Sequence, residues 1–214
     1  MPSEPVVLGF DTSAAHCAAA LVCGDQVLAE RALDMAKGQA EALVPLLEQV
    51  LQDAGKGWRD LAGIGVGVGP GNFTGIRLSV ATARGLALGL GVPAIGVTMF
   101  DACAHGLPRP VRVAEDARRG AVYVQDFAPD AGEAALLDLS DAVVFDATPV
   151  TGSAARAWAQ ATGAQILPQT IPLAVAIAQI VATRLTTLQP RPAPFYLRAA
   201  DAAPPSDPPP LILP

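Results

Sequence analysis

The sequence predicts an α/β protein built from two subdomains, each a mixed sheet flanked by helices. Three observations carry this. Three apolar strand-like runs come first with no helix between them, helical and strand-like stretches then alternate, and a second strand pair joined by a short charged turn opens a new cycle after residue 102. Strands in direct succession suit an antiparallel meander, whereas the later ones need crossover helices.

In order, Val6–Phe10 reads as a buried strand, and His16–Val22 and Gln26–Glu30 as two more that turn at Gly24-Asp25. A helix is expected from about Gln39 to Ala54, with Gly55 just past its end; Pro45 is tolerable because it lies near the first turns. Leu43, Val44, Leu47, Val50, Leu51 and Ala54 fall on one face of that helix, opposite Glu41, Glu48 and Gln52. Ile64–Val68 is the next strand, Phe73 to about Leu90 a helix, and Val92–Val97 a strand, after which Thr98 caps a helix through Ala104. In the second half Val111–Glu115 and Ala121–Phe127 are strands joined by Asp116–Gly120, and Val143-Val144-Phe145 a short one. Ser153–Ala161 and Leu173–Leu188 read as helices. The division expected is a first subdomain over 1–102, a second over 103–189, and a tail over 190–214 that holds nine prolines and is extended or disordered, with only Phe195-Tyr196-Leu197 suited to docking.

Composition narrows the function. Charged residues make up 16% of the chain and apolar ones 51%, so some apolar surface needs a cover, such as a partner. The net charge of −6 opposes unaided binding of nucleic acid, and Arg112, Arg118 and Arg119 form the one local basic cluster, beside Glu115 and Asp116. The long uncharged run from Ala157 to Thr183 is broken by Pro168 and Pro172 and carries four glutamines, which argues against a membrane span. No secretory signal is evident, and Cys17, Cys23 and Cys103 lack C-x-x-C spacing, so a reducing cytoplasm is expected.

The stretch Ile64 to Arg77 carries the most information. An apolar strand enters a turn rich in glycine, and the turn opens a helix. Free amides at a helix start can hold an anion. Yet Gly69, Gly71 and Gly75 complete neither G-x-x-x-x-G-K-[ST] nor G-x-G-x-x-G, so a tightly packed strand, turn and helix stands beside anion binding as an equal reading. Asp11-Thr12-Ser13 ends the first strand, where a carboxylate can approach metal and phosphate or simply stabilise a turn. His16 and His105 are far apart and make no metal pair, and Ser13 has no evident triad; His16 is expected in the core and His105 at a helix end. Val150–Ser153 is a further candidate turn for a nucleoside. No catalytic and no metal-ligating residue is expected.

The helix from Phe73 is apolar or small on nearly every side. Ile76, Val80, Ala83, Ala87 and Leu90 form one stripe, Gly75, Ser79, Thr82, Leu86 and Gly89 a second, and Arg77, Ala81, Arg84 and Leu88 a third. Such a helix is buried on more than one side, by its own chain or by a partner.

Several stretches resemble the bacterial TsaB family in order and spacing. Gly69-Pro70-Gly71-Asn72-Phe73-Thr74-Gly75-Ile76-Arg77 is similar to GPGSFTGLR, Phe10-Asp11-Thr12-Ser13 to the opening strand and DTS, and Gly38–Pro45 to H-[SA]-E-x-L-x-P. Ala83–Ala87 resembles A-K-G-L-A, Asp116–Tyr123 resembles D-A-R-R-x-E-V-Y, and Tyr196-Leu197-Arg198 the closing Y-L-R. Gln39 stands for the usual His and Ala121 for the usual Glu. The resemblance covers nearly the whole chain. It implies an actin-like ATPase fold and a noncatalytic scaffold that pairs with TsaD, and with the ATPase TsaE, for threonylcarbamoyl transfer to the adenosine 3′ of the anticodon in tRNAs reading codons that start with A. ATP, ADP and metal are then implied only in that complex, tRNA is reached only through it, and a homodimer is implied where TsaD is absent. Candidate interface residues are Leu43, Leu47, Val50, Ile76, Val80, Ala83 and Ala87; candidate nucleotide or partner contacts are Asp11, Thr12, Gly71, Asn72, Arg118 and Arg119. The alternatives are an autonomous actin-fold ATPase or small-molecule kinase, and a peptidase.

Overall fold

The computed structural model describes residues 4–144 and 146–198. The first sheet begins with a meander of β1 (Val6–Asp11), β2 (His16–Cys23) and β3 (Gln26–Asp34), all antiparallel. Helix α1 (Gln39–Asp53) leads to β4 (Leu61–Gly67), and α2 (Phe73–Leu90) to β5 (Ala94–Val97). Both later strands join parallel, which gives the order β3-β2-β1-β4-β5. Helix α3 (Met99–Ala104) crosses to a second sheet made of β6 (Val111–Asp116), β7 (Ala121–Phe127), β8 (Ala135–Asp138) and β9 (Val150–Thr151), ordered β8-β7-β6-β9. Helices α4 (Ala155–Thr162) and α5 (Leu173–Arg184) follow.

Strand alternation decides where the helices go. Leu8, Phe10, Ala19 and Leu21 point to one face of the first sheet and pack with α1 and α2, while Val7, Ala18, Ala20 and Val22 point to the other and pack with α5. The fit to α5 is close: a Cβ on Gly9 would lie 2.5 Å from the Ala174 carbonyl oxygen and 2.7 Å from the Ala178 nitrogen. An alanine-rich α5 permits that approach. Helix α5 therefore completes the first subdomain, although the expected boundary at 102/103 assigns it to the second.

The same packing corrects the expected interface. Leu43, Leu47, Val50, Ile76, Val80 and Ala83 are buried, none more than 3% exposed, in the core beneath α1 and α2, and Ala87 is half-buried against that core. One face of a five-stranded sheet needs these side chains as its cover, so they are not available to a partner. The exposed residues include Glu41, Val44, Glu48, Gln49 and Gln52 on α1 and Arg77, Ala81, Arg84, Gly85, Leu88 and Gly89 on α2. Leu88 is 87% exposed, and nothing lies within 4 Å of where a Cβ on Gly85 or Gly89 would sit.

Other elements differ from expectation for local reasons. Val143 and Val144 lie in a 3-10 helix over Leu139–Val144, not a strand; Asp138 Oδ1 accepts from Ser140 N and Oγ at its start, and Phe145 lies outside the described residues. β8 and β9 escape a periodicity reading because they have four and two residues, and β9 exists through its parallel pairing with Arg112 and Val113. Helix α5 stops at Arg184. In the tail, 190–198 is irregular and docked: Phe195 N donates to Val68 O at 2.8 Å, Pro192 is buried, and Phe195 packs against cores of both subdomains. The rest of the tail, 199–214, lies outside the described residues. Among the described residues no helix is long and apolar enough to cross a membrane.

Candidate functional site

A cleft of about 460 Å³ lies between the subdomains. Its first wall is built by the end of β1 and by the glycine turn between β4 and α2. Asp11, Thr12 and Ser13 are all buried. Asp11 Oδ1 accepts from Ser13 N and Ser13 Oγ, each at 2.8 Å, and meets His16 Nε2 at 2.7 Å. Thr12 Oγ1 donates to Gly75 O at 2.7 Å, and Asn72 N donates to Ser13 O at 2.6 Å. A Cβ on Gly67 would run into the Asp11 carboxylate, one on Gly71 into Ser13 O, and one on Gly75 into Thr12 O. The glycines thus serve close packing against the Asp11 side chain and the Thr12–Ser13 backbone. Two of the first amides of α2 are already used, since Asn72 Oδ1 accepts from Thr74 N and Gly75 N at 3.0 Å each. Of the two readings of this turn, the packed one describes the geometry, and Asp11, Thr12 and Asn72 act on their own chain.

His16 is not a simple core residue. Its side chain is 21% exposed, and its bond to Asp11 raises its pKa above the usual imidazole value. His105 sits at the C-terminal cap of α3. Gln39, at the start of α1, donates to Met35 O at 3.2 Å and to Ala14 O at 3.4 Å, so it ties the helix to the turn after Ser13.

The second wall comes from the β6–β7 hairpin and the turn after β9. Arg118 and Arg119 have φ of 62° and 54°, followed by Gly120 at 80°, so the hairpin tip runs through three left-handed residues. Asp116 Oδ1 accepts from Arg118 N at 2.7 Å and holds the tip. Beneath it Glu115 is tied by Ser153, whose hydroxyl and amide both donate to the carboxylate, and by the Cys103 thiol at 3.3 Å. Ser153 Oγ also accepts from Asp116 N at 2.9 Å. Burial pushes the Glu115 carboxyl above the usual carboxylate range. Arg112 is not part of this cluster: it is 3% exposed, and Nε and Nη2 pair with Asp126 at 2.6 and 2.8 Å. Arg118, Arg119, Arg198 and Tyr123 line the cleft, as do Gly71 and Asn72 on the opposite wall. Sequence reasoning named Arg118, Arg119, Gly71, Asn72 and the turn ending at Ser153 but missed Tyr123 and Arg198 as cleft residues; the closing Y-L-R was the signal for the last. At the cleft mouth Arg77 lies 3.6 Å over the Phe73 ring and Nε donates to Tyr196 Oη at 3.0 Å, which locks the tail to α2. Among the described residues no group of three or more His, Cys, Asp or Glu side chains converges as a metal site.

A family profile described as "TsaD: tRNA N6-adenosine threonylcarbamoyltransferase" matches residues 26–144, more than half of the chain. The chain belongs to the TsaB–TsaD family. It is 33% identical over 129 residues to the tRNA threonylcarbamoyladenosine biosynthesis protein TsaB of Escherichia coli, an alignment covering 58% of this chain and 55% of that protein. The chain thus spans about half the length of that curated relative. An uncharacterized protein of Mycobacterium tuberculosis strain H37Rv is 33% identical over 208 residues, 92% of this chain and 94% of its own. Among solved structures, YeaZ from Pseudomonas aeruginosa superposes with a TM-score of 0.74 at 24% identity over 91% of this chain and all of its own. The fold is actin-like, as in that family.

Proposed function

We propose that this chain is a noncatalytic scaffold in the formation of threonylcarbamoyladenosine on tRNA, pairing with a TsaD protein through the outer faces of α1 and α2. The observation that carries the reading is the outward side of α2, where Ala81, Gly85, Leu88 and Gly89 present a small and apolar strip beside Arg77 and Arg84, with Leu88 almost fully exposed. A helix with one face in its own core and a second apolar face in water is incomplete until something packs on it. The likeness to proteins named for this pathway and the match to the TsaD profile support TsaD as the partner. TsaE and ATP would join through that pair, tRNA would be held by the assembly and not by this acidic chain alone, and any metal would sit in TsaD. Without TsaD the same patch serves a two-fold dimer. A cytoplasmic setting fits this role.

Self-satisfied amides at the glycine turn favour this over an autonomous ATPase. The test is capture of TsaD by purified variants. Ala81→Arg and Leu88→Glu are expected to melt like the parent and to lose TsaD about a hundredfold or more, because an unpaired charge buried in an interface costs about 3 to 5 kcal/mol. Folded variants that still capture TsaD at parental strength would move the interface elsewhere. The chain alone is expected to turn over ATP at background and to make no modified tRNA; magnesium-dependent turnover that disappears with a cleft substitution would establish the ATPase instead.

A further inference from the structure

We infer that the segment 192–198 is a releasable latch, which locks the two subdomains into one unit when seated and lets them move independently when lifted. The latch does not depend on the pairing with TsaD. The segment follows α5, an element of the first subdomain, and serves both bodies. Phe195 packs against the core beneath α1 and α2 and also against the core under β6 and β7, and Leu197 joins the latter. Between them Tyr196 turns outward. Its ring stacks on Phe73 of α2 with centroids 5.1 Å apart, and its hydroxyl accepts from Arg77 Nε at 3.0 Å. Successive side chains of one short segment are thus anchored on opposite subdomains.

The seat is shallow. Pro190, Pro192 and Pro194 have no N–H to give, so the segment cannot extend the sheet along the open edge of β5 as a sixth strand. Among the described residues one backbone-to-backbone hydrogen bond joins 189–198 to the rest, from Phe195 N to Val68 O at 2.8 Å. Beneath the segment a hollow of about 380 Å³ remains, lined on the body side by Val68, Ile95, Gly96 and Thr98. Phe195 and Leu197 are half-buried, and Tyr196 is 40% exposed. A segment with few backbone bonds and incomplete burial opens at a lower free energy than the whole molecule. Each body keeps a closed core when it lifts: Ala176, Ile177 and Val181 of α5 seal the first, and Phe100, Val111 and Val113 the second, all 1% exposed or less. The subdomains then stay joined through α3 and through the chain between α4 and α5.

Spin labels on Gln52→Cys of α1 and Glu133→Cys of the second subdomain, both exposed, test this in the full chain with Cys23→Ser. The parent is expected to give one narrow distance. Adding Phe195→Ala and Leu197→Ala is expected to raise a second, broad population about tenfold, from under about 1% to over about 10%. Tyr196→Ala keeps both apolar anchors and loses the Phe73 stack and the Arg77 bond. It is expected to speed hydrogen exchange at the Phe195 amide about tenfold and to leave the amides of β1 and β2 unchanged. The proposal is overturned if the folded double variant keeps the parental distance. It is overturned as well if the Phe195 amide of the parent exchanges as slowly as those of β1 and β2, since the segment then opens only with the whole molecule. A double variant that unfolds also overturns it, because a latch lifts without loss of either body.

Discussion

The two walls of the cleft are built from the same kinds of residue and end in opposite states. On the first, Thr12 and Asn72 bond neighbouring backbone, Asp11 Oδ1 holds Ser13 and His16 while its buried Oδ2 has no hydrogen-bond partner, and the glycines close the remaining space. On the second, Asp116 and Ser153 likewise brace a turn, but the bracing holds up two arginine side chains at a cavity. A polar turn can therefore be an end in itself or a mount for something else. Residue type does not tell the two apart, whereas the count of donors and acceptors already paired does.

The largest effect that sharpens the contrast comes from Gly75→Ala. The new methyl group would overlap Thr12 O, both within the packed wall, and is expected to cost about 3 kcal/mol in a denaturant melt. A loss under about 1 kcal/mol would mean the first wall can give way and is no rigid block. Asn72→Ala removes the acceptor for two amides of α2 and is expected to cost about 1 kcal/mol by the same measurement. Arg118→Gly on the second wall relieves left-handed backbone, so thermal melting is expected to shift by no more than about 0.5 kcal/mol equivalent, without net loss. A large loss there would make the hairpin structural, like the wall it faces.

The smallest effect is in pH. His16 is raised by Asp11, so its stabilisation is complete below the unfolded value near 6.5 and is lost as pH climbs through the folded pKa. Glu115 is raised by burial, so stability falls as pH climbs from the unfolded value of 4.5 through the folded one. Both slopes have the same sign, and stability is expected to decline as pH rises above the ordinary values of 4.5 for Glu115 and 6.5 for His16. His16→Gln should flatten the upper part of the decline and Glu115→Gln the lower part, read from chemical melts at stepped pH. If neither changes the profile, the two walls do not titrate as their bonding implies.

Much of this fold was legible because its elements are long and periodic. The meander, α1, α2 and the cap at Thr98 follow from alternation, the 3.6-residue repeat and Ser/Thr/Asn chemistry. Elements held by partners across the chain were not: Val150–Thr151 becomes a strand only beside Arg112 and Val113, and Val143–Val144 coils because Asp138 and Ser140 start a helical turn ahead of it. The candidate site was half legible. Asp11, Asn72, Arg118 and Arg119 stand in local motifs, whereas Ser153 and Arg198 reach the cleft only through tertiary packing. The apolar stripes of α1 and α2 were visible, but not which one faces the sheet. Periodicity fixes the angle between stripes and leaves the direction of the sheet open.

The position of α5 governs how this chain can be made. Residues 173–184 supply the second cover for β1, β2 and β4, which leave a ribosome well before them. Until that late helix emerges, Val7, Ala20 and Val22 stay wet on one side, and the opening sheet cannot close its core. Translation must therefore run through the whole second sheet before the first can finish. A nascent chain of this shape stays dependent on its surroundings for most of its synthesis, and a stop codon anywhere ahead of residue 173 leaves no half that is complete.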